Sequence, residues 1–136
     1  MKPIPVLFLL LALSLGACGD KDKDPLSSRG PVYDQYVLAI RTGYFNSHPP
    51  PNVNIGTVTD RYFGNSEWES IIALDGNRYV NMTGAFSYLG SPAIAKIQFR
   101  YYSDGTFILR AFTINGEPQT DFLIGVLVTD MYDEAG

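Results

Sequence analysis

Between residues 68 and 116 the chain is cut at short intervals by turn-forming clusters, and this punctuation constrains the fold more than any other feature. Asp75-Gly76-Asn77, Gly90-Ser91-Pro92, Ser103-Asp104-Gly105 and Asn115-Gly116 each join glycine to Asn, Asp, Ser or Pro. Such clusters bend the backbone sharply. The runs between them read as strands. Trp68 to Leu74 is rich in apolar residues. Over Tyr79–Tyr88, Val80, Met82, Phe86 and Tyr88 fall on one face, and Asn81, Thr83 and Ser87 on the other. Ala95–Tyr102 alternates Ala95, Ile97, Phe99 and Tyr101 with Lys96, Gln98, Arg100 and Tyr102, which is the period of a half-buried strand. Thr106–Ile114 then runs back. Strands joined by so few residues pair as antiparallel neighbours, because a parallel pair needs a long crossover. The expected sheet is a four-stranded antiparallel meander with one dry and one wet face.

The dry face needs a cover. Val32, Tyr36, Val37 and Ile40 recur at helical spacing, with Gly43 placed to end that helix. Thr57, with Asp60 three residues on, has capping-box spacing for a short helix over Val58–Phe63. Between them FNSHPPPNVN predicts a stiff extended loop. Pro118 suits a helix start. Beyond it Phe122, Leu123, Val126, Leu127 and Met131 form a broad apolar stripe, with Gln119, Thr120, Asp121, Asp130 and Asp133 outside it. Gly125 inside that helix implies close packing on the sheet. The expected class is α+β, with elements in the order ααββββα and helices on one face.

The single cysteine rules out an intramolecular disulfide, and its position suggests a different use. Residues 1–17, MKPIPVLFLLLALSLGA, carry one positive charge at Lys2, an apolar stretch from Val6 to Leu15, and small residues at Gly16 and Ala17. This is the layout of a secretory signal peptide. A membrane-spanning helix needs about 20 apolar residues, and here the run meets Gly-Asp-Lys-Asp-Lys-Asp directly after Cys18. Residues 19–31, GDKDKDPLSSRGP, offer almost nothing to bury and read as a flexible tether reaching at most about 45 Å. The expected organisation is a signal peptide over 1–17, Cys18 and tether over 18–31, and one globular domain over 32–136.

Leu15-Gly16-Ala17-Cys18 resembles a bacterial lipobox. The resemblance implies a diacylglyceryl thioether on Cys18, cleavage before it, and acylation of the new amine. Two or three acyl chains hold a protein on a membrane where one does not. In enteric bacteria Asp directly after that cysteine marks retention in the inner membrane. Here the position is Gly19, with Asp20 one later, which favours the periplasmic face of the outer membrane. The segments NVNIGTVTDRYF with Trp68, DGNRYVNMTGAFSY and KIQFRYYSDGTFILRAFTINGEPQ, followed by an amphipathic helix, resemble a family of small bacterial secreted or lipoprotein domains. The resemblance spans about residues 36–132 and implies one exported α+β domain, without an activity. The layout is also similar to small periplasmic inhibitor and outer-membrane assembly lipoprotein domains, a likeness of fold only.

Little in the chain points to catalysis or metal binding. After loss of Lys2 with the signal peptide, nine basic side chains face fourteen acidic ones, a net of −5. That balance argues against nucleic acid as a partner. His48, the one histidine, lies in the SHPPP loop, where exposure is expected, and one His without a free Cys makes no zinc motif. Glu67 and Glu69 flank Trp68 and fall on the opposite face from it. Asp20, Asp22 and Asp24 alternate as in a calcium loop but lack its glycine and terminal glutamate. No cofactor or metal site is expected, and an enzyme would need Glu67 or Asp60 in a concave pocket.

Tyrosine is the unusual residue, with nine in the chain. Tyr102, Lys96, Gln98 and Arg100 share the wet strand face, and Tyr79 has the parity to join them. Exposed Tyr with Arg and Gln can bind a periplasmic protein or a cell-wall glycan; tyrosine is also simply a good strand former. The favoured reading is a membrane-anchored, non-catalytic binding or envelope-assembly module using that face. The alternative is an inhibitor or immunity-type lipoprotein that blocks one enzyme or toxin with the His48-Pro49-Pro50-Pro51 loop or the hairpin turns.

Overall fold

The computed structural model describes residues 32–46 and 52–135. The signal peptide, Cys18, the tether and the His48–Pro51 loop lie outside the described residues. The turn clusters close hairpins. Strands β1 (Gly64–Ile72), β2 (Arg78–Tyr88), β3 (Ser91–Tyr101), β4 (Phe107–Ile114) and β5 (Glu117–Pro118) form one antiparallel sheet in the order β1-β2-β3-β4-β5. With three helices, α1 (Gln35–Arg41), α2 (Ile55–Tyr62) and α3 (Asp121–Ala135), the class is α+β.

The sheet has five strands where four were expected, because Glu117 and Pro118 pair back onto Ile114 and Thr113. Pro118 is therefore an edge-strand residue and not a helix start; an edge tolerates its missing N–H. Both residues of the Asn115-Gly116 turn have positive φ (52° and 84°), as do those of the Leu89-Gly90 turn (52° and 81°). This two-residue turn matches the twist of its flanking strands. The second of these turns moves the start of β3 from Ala95 back to Ser91. Pro92 fits there because β4 pairs with β3 only from Ala95 onward, which leaves an open side for a residue without an N–H. β1 begins at Gly64 and not at Trp68; its first residues are polar and carry a register shift between Gly64 and Glu67, so no alternation shows in the sequence.

The helices differ from expectation at their starts. Asn54, not Thr57, caps α2: its Oδ1 accepts from the Thr57 N–H at 2.9 Å, and Thr57 lies inside the helix. Asp60 pairs with Arg41 and makes no capping-box contact. Asp34 caps α1, which starts after Val32, and its Oδ1 accepts from the Tyr36 and Val37 N–H groups at 3.0 and 2.9 Å. Its other oxygen accepts from the Ser70 hydroxyl of β1, so the cap also ties helix to sheet.

Burial raises the Asp34 carboxyl. The Ser70 hydroxyl, the two N–H groups and the nearby Arg78 outweigh it and hold the group below its ordinary value of 3.8. A depressed folded pKa gives stability that is present above the unfolded pKa and lost as pH falls through the folded one. Asp34→Ala is therefore expected to cost about 1 kcal/mol at pH 7. The wild-type advantage should shrink below pH 3.8. Urea titrations of both proteins across that range check this; an unchanging gap refutes it.

Alternation decides which face is dry. Val80 and Met82 of β2, Ile97 and Phe99 of β3, and Phe112 and Ile114 of β4 meet Val37 and Ile40 of α1, Ile55 and Val58 of α2, and Leu127, Val128 and Met131 of α3 in one buried cluster. Phe99 is the hub. Its ring lies 5.9 Å from Phe45, 6.2 Å from Trp68 in a stacked arrangement, and 6.0 Å from Phe107 edge-on.

Candidate functional site

Two surfaces stand out, one on each side of the sheet. On the uncovered side, register places Lys96 opposite Thr83, Gln98 opposite Asn81 and Arg100 opposite Tyr79, with Tyr102 just beyond the end of β3. The Arg100 guanidinium lies 4.7 Å from the Tyr102 ring centroid, so the five residues expected on the wet face do share it. The outcome for their polar groups is specific. Gln98 Nε2 donates to Asn81 Oδ1 at 3.0 Å, and Arg110 Nη1 donates to Gln98 Oε1 at 2.8 Å. Arg100 Nη2 donates to Asn77 Oδ1 at 2.8 Å, and the Tyr79 hydroxyl donates to Asp75 at 3.2 Å beneath the Arg110 guanidinium. Tyr79 is only 6% exposed as a result. Most donors and acceptors of this face are spent on one another, and Lys96 is the residue left exposed.

The carboxylates considered for acid–base work are kept apart. Glu67 and Glu69 are exposed on the outer face of β1, across the sheet from Trp68. Asp60 is on α2, where it accepts from Arg41 Nη1 and Nη2 at 3.1 and 2.6 Å. The Arg41 guanidinium also lies over the Tyr33 and Trp68 rings, at 4.5 and 5.4 Å. This cluster buttresses the helices against β1.

The second surface is a groove of about 1240 Å³ between α3 and β4. It exists because α3 covers the sheet only in part. Leu127, Val128 and Met131 are buried, and two hydroxyls pin the helix to its neighbours. Tyr62 of α2 donates to Asp130 at 2.6 Å, and Tyr132 donates to the Val53 carbonyl at 2.9 Å. Burial first, and the bond to Asp130 second, push the Tyr62 hydroxyl far above its usual range, so it stays a donor. The other side of α3 is left uncovered. Phe122 is 78% exposed and Val126 48%. Beside them the groove floor carries the half-buried Phe107 and Leu109, above the buried Phe99, and Asp121 and Asp133 stand on the helix side.

Gly125 lines this groove, which corrects the expectation of close packing there. A Cβ at Gly125 would meet nothing within 4 Å, whereas one at Gly43, Gly56 or Gly84 would crowd a neighbour at 3.0 Å or less. Glycine inside a helix costs about 1 kcal/mol relative to alanine, and here no packing demand accounts for it; its effect is to keep that wall of the groove low.

Sequence reasoning found the polar face because strand alternation exposes it, and missed the groove. One signal was present. Residues 122–128, FLIGVLV, are apolar on more sides than a single sheet contact can bury. Among the described residues no three His, Cys, Asp or Glu side chains converge as a metal site, and no helix is long and apolar enough to cross a membrane. Comparison of the chain with protein-family models, with curated proteins and with solved structures finds no match.

Proposed function

We propose that the protein is a lipid-anchored, non-catalytic binding module of the bacterial cell envelope. In this reading Cys18 carries the acyl chains, residues 19–31 form the tether, and the domain engages a protein partner at the periplasmic face of the outer membrane. The observation that carries the binding role is the open groove between α3 and β4. An uncovered concave surface with Phe122 and Val126 at its side and Phe107 and Leu109 in its floor is unusual for a domain that works alone. The anchor is supported by Leu15-Gly16-Ala17-Cys18 at the end of the apolar run. A tether of this length keeps the start of the domain within about 45 Å of the bilayer.

The test of the anchor is intact mass and detergent-phase partition of the chain expressed in a Gram-negative host, beside Cys18→Ala. The expected result is a mature chain starting at Cys18 with an added acylglyceryl mass and membrane association, both lost in the variant. An unmodified Cys18 in a soluble product refutes the anchor.

A further inference from the structure

We propose that the groove takes an extended peptide strand of a partner protein, apolar along its middle and basic at both ends, which adds to the free edge of β4. The inference rests on reading the domain as a binding module and names what that module binds.

The first observation is the free edge. β5 pairs only with Thr113 and Ile114, and the Gln119 N–H takes the Phe112 carbonyl. Further along, the Thr106 carbonyl accepts from Tyr102 at 2.8 Å and so points toward β3. Alternation along an antiparallel ladder then turns the backbone N–H and C=O of Phe107 and Leu109 away from β3, toward the groove. Among the described residues no strand meets them there. An exposed row of backbone donors and acceptors is a template for another strand. The opposite edge, β1, is better guarded: it carries a register shift, Asn65 at positive φ, and Glu67 and Glu69.

The second observation is what faces that edge. A strand laid along β4 sends alternate side chains under α3, onto Phe107 and Leu109 and beside Phe122. Those side chains must be apolar. Gly125 leaves room for them, since nothing stands within 4 Å of where its Cβ would be.

The third observation is charge. Asp121 and Asp133 line the groove, and no described hydrogen bond or ion pair engages either carboxylate. Arg110, the cation beside them, is committed to Gln98 and Tyr79. The two aspartates lie about 18 Å apart along the helix. Lysines at the first and seventh positions of a strand lie about 20 Å apart on one side of it. Basic residues at the two ends of a seven-residue strand therefore span a distance comparable to that between the two aspartates that line the groove. A second copy of this chain fits poorly, because it would bring its own Asp121 and Asp133 against these. The tether is also unsuited, because its single large apolar residue, Leu26, cannot supply a strand that is apolar along its middle.

The probe is a fluorescein-labelled peptide, Lys-Thr-Phe-Thr-Val-Thr-Lys, titrated into the purified full-length chain in detergent and followed by polarisation, with sedimentation to report mass. The expected result is saturable one-to-one binding with a dissociation constant on the order of ten micromolar. Gly125→Trp, which fills the groove from a position with no neighbour to disturb, should weaken binding more than about tenfold while keeping the fold. Methylation of the peptide's backbone nitrogens should do the same, because edge pairing needs those N–H groups. Replacing both lysines by glutamate should also abolish binding. No saturation near one millimolar, binding unaffected by Gly125→Trp or by methylation, or a dimer that Gly125→Trp dissolves would each overturn the proposal. Loss of this proposal leaves the anchor untouched, because the mass and partition of Cys18 are read separately.

Discussion

Phe99→Ala is expected to remove about 3–5 kcal/mol of stability, the range for deleting a buried phenylalanine ring from a core. Domains of this kind are stable by only about 5–15 kcal/mol, so the loss is a large share of the total. Phe99 is 0% exposed and is held on a central strand. Its ring packs against those of Phe45, Trp68 and Phe107. Partial collapse of the site is hindered because β3 is fixed by register on both sides. Phe122→Ala is the matched control. The same ring deleted at 78% exposure should change stability by less than about 0.5 kcal/mol. Urea titration of the two variants, with the single Trp68 as the probe, decides the matter. Equal effects would mean that the core does not centre on Phe99.

The second large effect is expected at Gly84, where the sign as well as the size is informative. Glycine to alanine in a strand usually stabilises, by about 0.4–1 kcal/mol, by restricting the unfolded chain. Gly84 should do the opposite and lose about 1–3 kcal/mol through overpacking. Its added Cβ would lie 2.6 Å from Phe63 Cβ and 3.1 Å from Phe63 Cγ. Those atoms are not the free end of a side chain. Phe63 is the residue where α2 ends and the chain turns into β1, so relief requires that corner to move. Gly64→Ala is the control, because its Cβ meets only the Ala85 carbonyl at 3.9 Å. It should be neutral or mildly stabilising. Thermal melts of the two variants check the pair, and a stabilised Gly84→Ala would show that the α2–β1 corner yields freely.

The parts legible in the sequence share a cause. Strand periodicity of two, interrupted by Gly and Asn clusters, fixes both the hairpins and the dry face, since slipping register by one residue would invert every side chain. Val80, Met82, Ile97 and Phe99 were readable as core for that reason, and so were Tyr79, Lys96, Gln98, Arg100 and Tyr102 as neighbours on the wet face. Where the local code offered two solutions, neighbours far along the chain chose. Thr57 has capping-box spacing, but α2 begins three residues earlier, after Asn54, and both Ile55 and Val58 are then buried. Pro118 suits a helix start or an edge strand, and the Asn115-Gly116 turn put it on the edge.

The mutual saturation of the polar face and the groove were not legible, because neither is a property of one segment. Whether Gln98 faces solvent or Asn81 and Arg110 depends on three strands at once. Whether Phe122 and Gly125 meet the sheet depends on where α3 leaves the edge, and that is set by Tyr62 on Asp130 and Tyr132 on the Val53 carbonyl, contacts spanning most of the domain. The sequence by itself determined which residues alternate, where the chain reverses, and that its one cysteine follows an apolar run. Only the tertiary structure decided how far the last helix covers the sheet, because hydrophobic burial acts on the sum of surfaces brought together and not on any one run of residues.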